Sequence, residues 1–442
     1  MPRPLPRTRS VALTAALLAI ALVACSESDN TPAGNTTATG NSSAQTRPDV
    51  PPAIAANTRE VLVVSNNWDG TADFVEAGSY KRLLRLNIIP DKAERLREIQ
   101  SSPDRYGFYL AIQQLIGEGN DQYVDDSYTS PDGKFLYVSR PSFADVVAFD
   151  LATRNIVWRT PMEGYRSDHM ALSPDGRQLA VSDSTANKVQ IIDVRDGKVL
   201  GAFESGDQPH ENTYSADGKR IFHASIGTVY TPLDQVIFDK TKGKRYFQVV
   251  DTATNTVLKR VDIAQKLREA GYPDFSSAVR PMAISPDENR FYLQLSFFHG
   301  FVEYDLAQDR IVRVVPLPKV TTEPRENYQL DSAHHGLAIT PDGKTLCAAG
   351  TMDGYAALVD TASTEHRLVQ VGPKPYWSTT SSDGTLCYVS ISEEDAVAVI
   401  DYRTAQLIGK FPVGDHPQRM RTGRLAKTAV REETALLNTS AR

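Results

Sequence analysis

Residues 130–139 read SPDGKFLYVS, and the chain returns to that phrase five times: SPDGRQLAVS from Ser173, SADGKRIFHAS from Ser215, SPDENRFYLQLS from Ser285, TPDGKTLCAAG from Thr340 and SSDGTLCYVS from Ser381. In each copy a Ser/Thr-x-Asp turn, followed by Gly in five copies and by Glu288 in the fourth, joins two short strands. The proline, present in four copies, fixes φ, the Asp offers an Asx hydrogen bond and the glycine accepts φ > 0. A third strand ending in Asp follows each copy, as in VVAFDLATRN, VQIIDVRDGK, FQVVDTATNT, FVEYDLAQDR, AALVDTASTE and AVAVIDYRTA, and then a fourth. Four short strands in a repeat of roughly 40–60 residues predict an all-β fold, a β-propeller of four-stranded blades.

Six complete repeats run from about Tyr123 to Val413. The ends supply parts of a seventh: Arg59–Ser65 reads as a second strand, Lys81–Asn87 as a third, and His416–Met420 as the start of an inner strand. The prediction is a seven-bladed β-propeller closed by N- and C-terminal strands in a shared blade, a device that removes the exposed sheet edge. The aspartates that end the third strands, Asp150, Asp193, Asp251, Asp305, Asp360 and Asp401, read as structural turn residues. The repeats resemble the YVTN-type seven-bladed propellers of bacterial envelopes. More distantly they resemble the propellers of methylamine dehydrogenase heavy chains, nitrous oxide reductase and the d-haem domain of nitrite reductase. The shared motifs are turn and strand motifs, so the resemblance implies a fold and no particular activity.

Ahead of the propeller, Arg3, Arg7 and Arg9 precede an apolar run from Val11 to Ala21, too short for a permanent membrane helix and suited to a secretory signal. Leu22-Val23-Ala24-Cys25 resembles the lipobox of bacterial lipoproteins, which implies lipidation at Cys25. The residue after it is Ser26, which in Gram-negative bacteria would imply the outer membrane, facing the periplasm or the outside. Residues 26–57 are small and polar and cannot bury enough surface to order themselves. The expected division is a signal at 1–24, a tether at 25–57, a propeller at 58–424 and a tail at 425–442. Loss of the three signal arginines would move the formal charge from −6 to −9. That balance speaks against nucleic acid, and against membrane contact other than through the lipid anchor.

Cys347 and Cys387 stand in the second strands of adjacent repeats, one residue out of register. They can meet across a blade interface in an oxidising compartment, or be two small buried apolar residues, the simpler reading.

The long insertions (226–245, 263–277, 320–334 and the amphipathic 91–119) all fall on second-to-third loops or blade connections, hence on one rim. That is where a repeat protein carries its binding face. Aligned on the turn, the inner strands begin with Asp125, Asp168, His210, Arg280, His335 and Tyr376. Asp126, His169, Glu211, Pro281, Gly336 and Trp377 come next, with His334 beside His335 and His299 on a nearby loop. These are expected to converge on one funnel. His169, His210, His335 and Asp168 suit a divalent metal, and Asp125, Glu211, Trp377 and Arg280 a bound ligand. In an enzyme, Arg280 would hold an anionic group, with Tyr376 or His334 as acid or base. The sequence contains no CxxCH, so covalent haem is not expected, and no HExxH, GxSxG, Walker A or CxxC motif.

Three functions fit these residues. The first is a lipid-anchored envelope protein binding a small ligand with a divalent metal. The second is a metal-dependent lyase, hydrolase or oxidoreductase using the same ring. The third is a scaffold docking a protein partner on the insertion-rich face.

Overall fold

A computed structural model describes residues 52–228, 236–239, 241–328, 330 and 332–430. The signal, Cys25 and most of the tether lie outside the described residues. Pro52–Asn57, the last stretch of the expected tether, form a short helix tied to the first strand by the Thr58 hydroxyl, which donates to the Ile54 carbonyl at 2.7 Å.

Seven antiparallel sheets of four strands form the propeller. Repeats one to six each contribute a sheet of consecutive strands. The seventh joins Pro417–Ala426, as its inner strand, to Thr58–Asn66, Thr71–Glu76 and Arg82–Asn87. Thr58–Asn66 pairs with the C-terminal strand from Thr58↔Ala426 to Asn66↔Pro417, so the ring closes as the sequence implied.

Two boundaries differ from the sequence reading. Lys81–Asn87 holds the fourth strand of the shared blade. The third is Thr71–Glu76, set off by a turn at Asn67–Gly70 that lacks the Ser-Pro-Asp-Gly phrase. The closing strand reaches Ala426 and a 3-10 turn follows at Lys427–Val430, because Ala426 N–H donates to the Gly133 carbonyl of the first repeat at 2.9 Å.

Each repeated phrase folds by the same local chemistry. In the first, the Ser130 hydroxyl donates to Asp132 at 2.7 Å and accepts the Lys134 and Phe135 amides at 3.1 and 3.0 Å, while Gly133 takes φ +67°. The aspartates ending the third strands accept turn amides: Asp150 from Ala152 and Thr153 at 3.0 and 2.8 Å, Asp401 from Thr404 at 2.7 Å. Between blades the sheet faces bury apolar side chains. At the interface of repeats three and four, for example, Phe291 meets Phe222 and Phe247 with ring centroids 4.9 and 4.8 Å apart.

Between the fifth and sixth repeats Cys347 and Cys387 form a disulfide, so the first of the two cysteine readings holds. Among the described residues no helix is long and apolar enough to cross a membrane.

Residues 92–116 form two helices, Lys92–Gln100 and Pro103–Ala111, continued by a π-helical turn at Ile112–Ile116. The buried Arg140 side chain anchors them. Its guanidinium bridges Asp145 (2.7 and 2.8 Å) and Asp91 (2.6 and 3.1 Å), pinning the insertion to the first repeat at the rim.

Candidate metal centre

Three inner strands enter the ring through one phrase, an x-Pro step followed by two polar or aromatic residues: Gln208-Pro209-His210-Glu211, Lys374-Pro375-Tyr376-Trp377 and His416-Pro417-Gln418-Arg419. The residue before each proline has positive φ, at 54°, 48° and 54°. Each strand begins at that proline. The first residue after the proline (His210, Tyr376, Gln418) then lines a cavity at the axis. The next (Glu211, Trp377, Arg419) is buried without lining it.

The cavity, about 30 Å³, has room for an ion and a water or two. Asp125, Asp168, His169, His210, Arg280, His335 and Tyr376 line it, joined by Gln122, Arg166, Gln208 and Gln418. The insertion-rich rim supplies Ile116, Ile226 and Leu330.

His169 and His210 have ring centroids 3.7 Å apart, His210 and His335 6.3 Å, and His335 stacks on Tyr376 at 4.0 Å. Asp168, His169 and His210 each bring a ligand atom within 4.8 Å of the others. His169 Nδ1 meets Glu211 Oε2 at 2.8 Å, and its Nε2 lies 3.5 Å from Asp168 Oδ1. A carboxylate behind one ring nitrogen fixes the tautomer that offers the other nitrogen's lone pair, the usual support of a metal-bound imidazole. The Nδ1 atoms of His210 and His335 are buried without a hydrogen-bond partner.

Burial, reinforced by the Arg419 charge, holds His169, His210 and His335 well below the usual imidazole range, so all three are neutral near pH 7. Burial also raises Asp125 to about 6 and Glu211 to about 7, against the opposing pull of Arg419. Neutral imidazoles beside a carboxylate form a donor set for zinc, copper, iron or nickel.

Other expected site residues have different surroundings. Asp168 is paired with Arg166 and accepts the Ser184 hydroxyl at 2.9 Å, so one of its oxygens is already engaged. Arg280 reaches the cavity with Nε donating to Ser296 at 2.9 Å and NH2 to the Leu330 carbonyl. Trp377 lies beneath the cavity with the Arg419 guanidinium 4.1 Å over its ring, so it is no open stacking wall. Glu211 supports His169 and does not line the cavity.

His334 and His299 do not line it either. His334, on the connection ahead of the strand Leu337–Ile339, sits instead in a second cluster with His299 and Asp353.

Sequence reasoning missed Arg419, Gln418 and Arg166. Arg419 Nε donates to Asp125 at 3.3 Å, with NH1 3.9 Å from Glu211, and the neighbouring Arg421 binds Asp126 at 3.0 and 2.7 Å. The x-Pro phrase was the signal for the first two.

No family model matches the chain. The chain is 31% identical over 100 residues to a curated protein named 6-phosphogluconolactonase, from Formosa agariphila. That match spans 21% of this chain and only 28% of the relative's length. Among solved structures, Kuenenia stuttgartiensis hydrazine synthase superposes with a TM-score of 0.52 at 17% identity, over 66% of this chain and 88% of that one. That likeness concerns the fold alone.

Proposed function

We infer that this protein is a lipid-anchored envelope propeller of the YVTN type that holds a divalent ion at Asp168, His169 and His210 and binds a small ligand at the same mouth. The observation that carries the reading is the His169 ring held between Glu211 on Nδ1 and Asp168 near Nε2, with His210 alongside. The cavity's small volume favours an ion and a compact ligand over a sugar-sized one. Arg280 and Tyr376 would orient that ligand, and the disulfide agrees with an extracytoplasmic address. The lipid anchor at Cys25 and the outer membrane rest on the lipobox resemblance. Replacing Cys25 with Ala should release the protein from membranes.

Metal analysis of protein purified without a histidine tag tests the centre. Wild type should carry a tightly held ion that is lost in a His169→Ala/His210→Ala variant. Equal metal content in the two proteins, or none in either with a melting temperature indifferent to added divalent ions, ends the reading.

A second reading, a metal-assisted hydrolase, is favoured by the local likeness to the named lactonase. It would use Arg280 on an anionic group and Tyr376 as the proton donor. Turnover of lactone substrates by metal-loaded protein, absent in Arg280→Met, separates the enzyme from the binder.

A further inference from the structure

We propose that His299, His334 and Asp353 form a second divalent-metal site, stapling the fourth and fifth repeats together on the insertion-rich rim. The three donors come from separate segments. His299 is on the loop between Arg290–Leu295 and Gly300–Asp305, Asp353 on the loop between Thr345–Gly350 and Tyr355–Asp360, and His334 on the connection between the two repeats. Their ligand atoms lie within 4.8 Å of one another, and His299, the most exposed side chain, is only 11% exposed.

Both imidazoles aim at one carboxylate oxygen. His299 Nδ1 is 2.6 Å from Asp353 Oδ2, and His334 Nε2 is 3.1 Å from the same atom. A second oxygen approaches. Tyr355 Oη is 3.2 Å from His334 Nε2, and its single proton is committed to the Pro318 carbonyl at 2.7 Å, so a lone pair faces the gap. Ligands on a tetrahedral zinc stand ~3.3 Å apart, given metal–ligand bonds of about 2.0–2.1 Å. The observed separations fall short of that by less than an ångström, so small side-chain shifts admit an ion.

The surroundings of Asp353 and His299 are those that orient metal ligands, while His334 Nδ1 has no hydrogen-bond partner. Asp353 Oδ1 accepts the Val320 and Thr321 amides at 2.7 and 2.9 Å, which turns Oδ2 toward the imidazoles. His299 Nε2 meets Tyr328 Oη at 3.0 Å, and that hydroxyl can accept from Nε2–H in the tautomer whose Nδ1 lone pair binds metal. The competing account is a hydrogen-bonded clasp with protons in place of the ion. It uses the same atoms but requires no metal. Two imidazoles and a carboxylate suit zinc, which is the probe.

The test is independent of the mouth centre. Zinc binding to metal-stripped protein is measured by equilibrium dialysis and elemental analysis, with melting temperatures in parallel. In the His169→Ala/His210→Ala background one equivalent should remain bound and raise the melting temperature, and adding His299→Gln should abolish both effects. Tyr328→Phe, which removes only the outer hydrogen bond, should weaken the remaining site about tenfold. Should the double-alanine background fail to fold, wild type and His299→Gln should differ by one equivalent. The proposal is overturned if zinc content and the zinc-dependent melting shift are the same with and without His299→Gln. Loss of zinc on His299→Gln with none lost on His169→Ala/His210→Ala would uphold this site and end the mouth reading.

Discussion

The indole of Trp68 lies flat on the imidazole of His416, ring centroids 3.6 Å apart and planes within 4°. Trp68 follows the first strand of the chain and His416 precedes the last, and the Asn67 amide donates to the His416 carbonyl at 3.1 Å beside them. The stack therefore fastens the two ends of the ring.

Burial, with the nearby Lys374 charge, lowers His416 to about 3 from its ordinary 6.5. The unfolded chain thus binds a proton here between those values that the folded chain refuses. Stability from this group is complete above pH 6.5 and is lost as the pH falls, by ~1.4 kcal/mol per unit. Buried His223, also lowered to about 3, acts in the same direction. Melting curves from pH 7 to 4 should fall less steeply for His416→Phe than for wild type. Identical slopes would remove His416 from the account.

Deleting residues 414–442 removes the inner strand of the shared blade and exposes the edge of Thr58–Asn66. The expected result is loss of a cooperative melt for the whole propeller, measured by circular dichroism. A truncated protein that melts like wild type would show that closure contributes little.

Turn glycines should differ in their tolerance of a methyl group. At Gly133 (φ +67°) a Cβ would come within 2.6 Å of Ala426 N and 2.8 Å of the Leu425 carbonyl carbon, all backbone of the closing strand. At Gly218 (φ +71°) the nearest atom is Pro174 Cδ at 3.6 Å. Gly218→Ala should cost the left-handed strain alone, about 1 kcal/mol. Gly133→Ala should cost that and more in denaturant unfolding, because strand backbone has no room to yield.

Cys347 and Cys387 are 40 residues apart and join neighbouring blades. A Cys347→Ala/Cys387→Ala variant should lose about 2–4 kcal/mol of stability and become insensitive to reductant. Equal stability of the wild type with and without reductant would contradict a stabilising role.

Most of the architecture could be read from residues 130–139 and their copies, because the Ser-Pro-Asp-Gly turn sets strand register locally and the period does the rest. Reading failed where that chemistry was missing. Thr71–Glu76 follows Asn67–Gly70, a turn with other residues, and so its strand went unrecognised. At the site, the first aligned position placed Asp125, Asp168, His210, Arg280, His335 and Tyr376 on one cavity, and from the next position only His169 joins them. The alignment could not separate His334 from His335, because both lie on the connection ahead of the strand Leu337–Ile339, where no strand register applies. Nor could it foresee that Glu211 and Trp377 would be buried beneath the lining, where Arg419 fills the space between them.

Pro417–Ala426 is the last propeller strand to leave the ribosome, and Arg419, with its contacts to Asp125, Glu211 and Trp377, rides on it. A product stopped between Pro412 and Pro417 therefore has six complete blades, an unclosed seventh and no Arg419 at the axis. Closure of the shared sheet and completion of the axial contacts around Asp125 and Trp377 thus arrive in one event.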